Sequence, residues 1–203
     1  MIPKILPKTN QMVTAMEESP TSLKGYFLIA MPALVDPNFR QSVTCISEHN
    51  DNGAVGIVIS QVHAGLSARM IFEELGIYFN DRAEKIPIHI GGPVHTNELF
   101  VLHGSPLRWE DTLIISEHLA LSNSKDILEA IAQGAGPAEF VIALGCAGWA
   151  PGQLEWELSQ NAWLVCPSDK EIIFGAPIEN RWMNAIQKMG IDPQSLSYSA
   201  GRA

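Results

Sequence analysis

The sequence predicts an α+β fold built on a mixed, largely antiparallel sheet flanked by helices. Apolar stretches of strand length outnumber stretches with helical spacing, and most of the early ones can pair as neighbours. There is no regular βαβα alternation of the kind that builds a parallel sheet, and no internal repeat or low-complexity segment.

In chain order, Met1 to Ser22 mixes Pro, Lys, Thr, Gln and Glu with isolated apolar residues, and is expected as a flexible tail. A single domain is expected over 23–192, followed by a loose tail over 193–203. Tyr26 to Met31 reads as a buried strand stopped by Pro32. Val43–Glu48 and Ala54–Ser60 flank His49–Gly53 (HNDNG), the clearest hairpin signal, because Asn and Gly tolerate positive φ. Ser67 to Leu75 is expected as a helix, capped by Ser67 and stopped by Gly76. Ile86–Ile90 leads into Gly91, Gly92 and Pro93; Leu99–His103 and Thr112–Ser116 are further strands. Asn123–Gln133 is the best-marked helix, with Ile127, Leu128 and Ile131 on one face and Gly134 at its end. Ala162–Cys166 is a short strand, and Pro177–Lys188 has the apolar spacing of a second amphipathic helix.

One stretch dominates, Leu144 to Leu158 (LGCAGWAPGQLEWEL). Phe140–Leu144 is apolar and strand-length, and Gly145–Gly148 supplies small residues where a backbone turns or approaches something closely. Pro151 suits a first helical turn, and Leu154 and Leu158 give an inward stripe. The expectation is strand, glycine-rich corner at 145–148, then a helix whose start faces a hollow.

The bulk numbers exclude several classes. Hydrophobic residues make up 46% of the 203 and charged ones 17%, the profile of a globule. The formal charge of −9, with no lysine–arginine cluster, argues against direct nucleic-acid binding. The three dispersed cysteines, Cys45, Cys146 and Cys166, fit a reducing compartment, and no segment reads as a signal peptide or membrane span. A cytoplasmic location is therefore expected.

AMPALVDPNFRQSV, EHNDNGAVGIVIS, GGPV with LFVLHG, and GCAGWAPGQLEWEL together resemble the YqgE/AlgH family of bacterial proteins, over about Leu23 to Ile191. The resemblance implies a mixed sheet partly curled into a small barrel with helices around it. Members are often labelled transcriptional regulators; no substrate, cofactor or catalytic residue comes with the family. The chain departs from the common pattern at Ser60 and Val62 (commonly Asn and Pro), at Cys146 (often aromatic) and at Gly175 (often acidic).

The chemistry-bearing patterns are few. There is no Gly-x-Ser-x-Gly elbow, Walker loop, His-Glu-x-x-His or Cys-x-x-Cys. The corner at Gly145–Gly148 opening a helix suggests an anion site, but Glu155 and Glu157 oppose it, and a tight connection under Trp149 is preferred. Cys146 is read as an inert small residue, Cys45 and Cys166 as core. His89, His95 and His103 surround the Gly91–Pro93 turn without a carboxylate at ligand spacing, so no metal is expected. His49 follows Glu48, but strand neighbours face opposite ways, so His49 is expected to cap the hairpin turn by hydrogen bonds. Asp36 and Arg40 are expected to pair locally, and Trp149, Trp156, Trp163 and Trp182 to be core or rim.

The functional expectation is a binding or regulatory protein with no cofactor, engaging an unidentified protein partner or small ligand. The candidate surface is His49, Gly91, Gly92, Pro93, Gly148, Trp149, Gln153 and Glu155. One competing reading is a hydrolase acting on a nucleotide-like or acidic small molecule, with His49 or Glu155 as base. Another is a structural or assembly role.

Overall fold

The structure, a computed structural model, describes residues 22–193 and 196. The rest of both expected tails lies outside the described residues. Ten strands form one sheet: β1 (Tyr26–Ala30), β2 (Val43–Asn50), β3 (Gly53–Val58), β4 (Val62–Ser67), β5 (Pro87–Ile90), β6 (Val94–His103), β7 (Thr112–Ser116), β8 (Leu119–Ser122), β9 (Phe140–Trp149) and β10 (Trp163–Pro167). The helices are α1 (Ala68–Glu74), α2 (Lys125–Gln133), α3 (Gln153–Ser159) and α4 (Arg181–Lys188).

The spatial order is β10-β1-β2-β3-β9-β6-β8-β7, with β5 added to β9 and β4 to β5. Among these pairs only β5–β9 is parallel, so the sheet is mixed and largely antiparallel. It is partly curled, with β7 approaching β2, but does not close. No helix among the described residues is long and apolar enough to cross a membrane.

Strand alternation sorts the apolar residues to separate faces. Inside the curl, Phe27, Ile29, Val43, Cys45, Ile57 and Leu102 pack with Trp182 and Ile186 of α4. A second core lies under α1 and α2, around Phe72, Val101, Ile127 and Ile142. The third lies under α3, where Leu28, Ile46, Trp149, Leu154 and Trp163 meet Phe39 of the loop after β1.

β9 organises the whole. Its first half pairs with β5 and β6 through Phe140–Leu144, and its last residues, Ala147–Trp149, pair with β3. The expected corner at 145–148 is therefore wrong. The strand runs through those residues, and the turn comes later, at Ala150–Gly152. Small residues there serve a crossing of backbones instead. A Cβ on Gly91 would lie 2.0 Å from the Gly145 carbonyl oxygen, and one on Gly145 (φ +76°) would lie 2.6 Å from that of Gly92. The Gly91 N–H donates to Leu144 O at 2.9 Å, and its carbonyl accepts from Val58 N at 2.9 Å.

Other boundaries differ by less. The hairpin turn is tighter than expected, with β2 running to Asn50 and β3 starting at Gly53. Ser67 stands at the N-cap of α1 without a side-chain hydrogen bond, and β4 precedes it unforeseen. β8 was also unforeseen, being only Leu119–Ser122. The predicted helix from Pro177 is a 3-10 turn over Ile178–Asn180 followed by α4.

Candidate functional site

The sequence candidates fall into two groups. His49, Trp149, Gln153 and Glu155 come together where β2, β9 and α3 meet. Gly91, Gly92, Pro93 and Gly148 surround the backbone crossing. Gly91 and Gly92 are buried, whereas Pro93 and Gly148 are exposed, and a Cβ on Gly148 would touch Val94 Cγ2 at 3.4 Å.

At the first group, Leu23 N–H donates to His49 Nδ1 at 2.9 Å. That bond makes Nδ1 the acceptor, so Nε2 carries the hydrogen and donates to Glu155 Oε1 at 2.7 Å. Ser22 Oγ adds a bond to His49 O at 2.9 Å. Both ring nitrogens are thus occupied. His49 fastens the chain entry to α3 rather than capping the hairpin turn as expected; the turn is closed by Asn50, whose Oδ1 accepts from Asn52 N. Glu48, the sequence neighbour of His49, bonds instead to Asn50 Nδ2. Glu155 lies in the first turn of α3, where its own backbone N–H, and then His49, hold its carboxyl below the usual carboxylate range.

Beside this pair lies Glu157, which the sequence offered only as a negative charge opposing an anion site. Glu157 Oε2 accepts from the indole N–H of Trp149 at 2.9 Å and of Trp163 at 2.8 Å, and its Oε1 accepts from Gln153 Nε2 at 2.9 Å. Gln153 Oε1 in turn accepts from Ala150 N at 3.0 Å, which fixes the turn before α3. Phe39 stacks on Trp149 at 5.9 Å between centroids and meets Trp163 edge-on at 5.4 Å. The signal lay in the spacing: Gln153 and Glu157 are one helical turn apart, on the flank beside Leu154. Trp156 differs from its neighbours. It is 64% exposed, and its indole nitrogen has no partner among the described residues.

The histidines near Gly91–Pro93 do not converge. His89 is buried, donates from Nδ1 to Ile142 O at 3.3 Å and accepts from Arg181 Nη1 at 3.1 Å. Burial, then the Arg181 charge, lowers its pKa to about 4. Arg181 is itself buried, donating also to Ile59 O and Ala176 O. His103 donates from Nδ1 to Gly104 O at 2.8 Å and accepts from Ser122 Oγ at 2.9 Å, wholly buried. His95 pairs with Glu98 at the surface. No group of three metal-ligating side chains occurs among the described residues.

Cys45 and Cys166 are core; burial pushes the Cys45 thiol up to about 12. Cys146 is 3% exposed, and burial, followed by the Glu98 charge, raises its thiol pKa. The expected Asp36–Arg40 pair does not form. Asp36 Oδ1 instead accepts from Asn38 N and Nδ2 at 2.8 and 2.9 Å, a local turn contact.

Three open concavities of about 260, 310 and 310 Å³ lie on the surface, and none of these three is lined by the start of α3.

The AlgH-like family model matches residues 27–194. The UPF0301 protein AlgH of Pseudomonas aeruginosa is 48% identical, covering 92% of this chain and 99% of the relative. A UPF0301 protein of Desulforapulum autotrophicum is 48% identical, covering 89% and 96%. The solution structure of the P. aeruginosa AlgH protein superimposes with a TM-score of 0.75, over 92% of this chain and 99% of that one. A crystal structure from Corynebacterium diphtheriae, 20% identical, shares the fold with a TM-score of 0.68 over 90% of this chain and 93% of that one.

Proposed function

The chain belongs to the AlgH-like family, and from that premise we propose that it works by binding a partner protein, not by catalysis, through the exposed flank of α3. The observation that carries this reading is Trp156, 64% exposed between Glu155 and the clamped residue Glu157. Exposed tryptophans beside polar groups are the residue type that anchors protein interfaces. Gln153 and Glu155 supply a polar rim on the same short helix. The occupied ring nitrogens of His49 speak against its use as a base. The acidic surface favours a regulatory role exerted through a protein in the cytoplasm over direct contact with nucleic acid.

The test is site-specific photocrosslinking in cells from Ser159 and Gln160, on the exposed flank of α3. The expected result is one discrete adduct from both positions, abolished by Trp156→Ala with the melting temperature unchanged. An adduct that survives that substitution, or no adduct from either position, overturns the proposal. Turnover of a nucleotide-like substrate that disappears in Glu155→Gln replaces it with the hydrolase reading.

A further inference from the structure

We infer that the open end of the curled sheet, at the junction of β6, β7 and β8, is a binding site for a small organic cation with an apolar body. The register pairs Leu113 with Leu121 and Leu121 with Leu102, so these side chains share one face, and Phe100, two residues before Leu102, joins them. That face belongs to the core inside the curl. β8 ends at Ser122 and β7 begins at Thr112, so the core is left uncovered there and Phe100 and Leu113 remain only partly buried. The result is a concavity of about 310 Å³ floored by Phe100, Leu113 and Leu121. This lies at the small end of the size range for ligand pockets, which matches a single ring system.

The rim sets the charge of the occupant. Asp111 and Asn123 hold each other's backbone, Asn123 N donating to Asp111 O at 3.3 Å. Both are exposed, and neither side chain has a partner among the described residues. No lysine or arginine lines this concavity. The adjoining one, also about 310 Å³, shares Asn123 and adds Glu98; its Lys125 is paired with Glu129 at 3.0 Å. An unpartnered carboxylate over an apolar floor, on a chain of formal charge −9, is complementary to an ammonium group on an apolar ring. The hydroxyls of Ser122 and Thr112, one residue out of step with Leu121 and Leu113, bond to each other at 2.7 Å and take no part.

The experiment uses the full chain, labelled with nitrogen-15, and two ring-matched probes of opposite charge, tryptamine and indole-3-propionate. Tryptamine is expected to give saturable amide shifts centred on Phe100, Leu113, Leu121 and Asn123, with an affinity about tenfold above that of the anion. Asp111→Asn leaves the backbone bond in place and is expected to bring the two probes within about twofold of each other. The inference is overturned by equal affinities, by a preference that survives Asp111→Asn, by shifts centred elsewhere, or by shifts that do not saturate.

Discussion

At the α3 junction the distinctive polar side chains of the sequence are bonded to one another; at the open end of the curled sheet, Asp111 and Asn123 extend unpartnered side chains over bare core. The first region is where His49, Gln153, Glu155 and Glu157 converge. The second carries no recognisable motif. The difference teaches that a dense sequence signature can mark a place where the chain must pass close to itself, while an opening arises simply where strands stop. Within the junction the same contrast recurs on a smaller scale: Trp149 and Trp163 are each 5% exposed, Trp156 64%.

Substitutions can break this contrast. The largest effect is expected from Gly91→Ala, because its Cβ would fall 2.0 Å from the Gly145 carbonyl oxygen and 3.0 Å from the Ala143 methyl, neither a flexible side-chain end. A loss of about 4 kcal/mol or more is expected in denaturant titration; a loss under about 1 kcal/mol would mean that the crossing can open. Next is Glu157→Ala, which strips the acceptor from two buried indoles. About 2–3 kcal/mol is expected, from the cost of unpaired buried donors.

Glu155→Gln sharpens the picture through pH. The folded-state pKa of Glu155 is lowered, so its contribution is present above the unfolded value of about 4.3 and is lost as pH falls through the folded one. The side chain is 56% exposed, so solvent screening holds the effect under about 1 kcal/mol. Acid titration of stability should therefore be slightly shallower below about pH 4.3 in the variant, with little change in shape above it. The smallest effect is expected for Asp111→Asn, within about 0.5 kcal/mol of the parent in thermal melts. A cost there matching that of Glu157→Ala would erase the distinction between the two regions.

Much of the fold was legible in the chain. Continuous apolar runs found β1, β5 and β7, the Asn–Gly turn found the β2–β3 hairpin, and helical spacing found α2 and α4, because each of these signals lies within a few residues of chain. β8 escaped because four residues carry too little periodicity, and β4 because none of its residues is buried. The corner at 145–148 was misplaced for a specific reason. Glycines read as turn residues, whereas here they admit a second backbone into the middle of a strand. The partner of His49 was equally hidden, since Glu155 lies 106 positions away and Glu48 adjoins it.

Residue order by itself determined the strand-rich class, the family and the core residues, because hydrophobic patterning and turn chemistry act between near neighbours. Only the tertiary structure decided what the signature is for. It turned the glycines into a crossing, gave Glu157 its two indoles, turned Trp156 outward, and left the sheet uncovered at Phe100 and Leu113. Each of these depends on which distant segments share a face, and that is fixed by long-range packing and sheet register, not by local sequence.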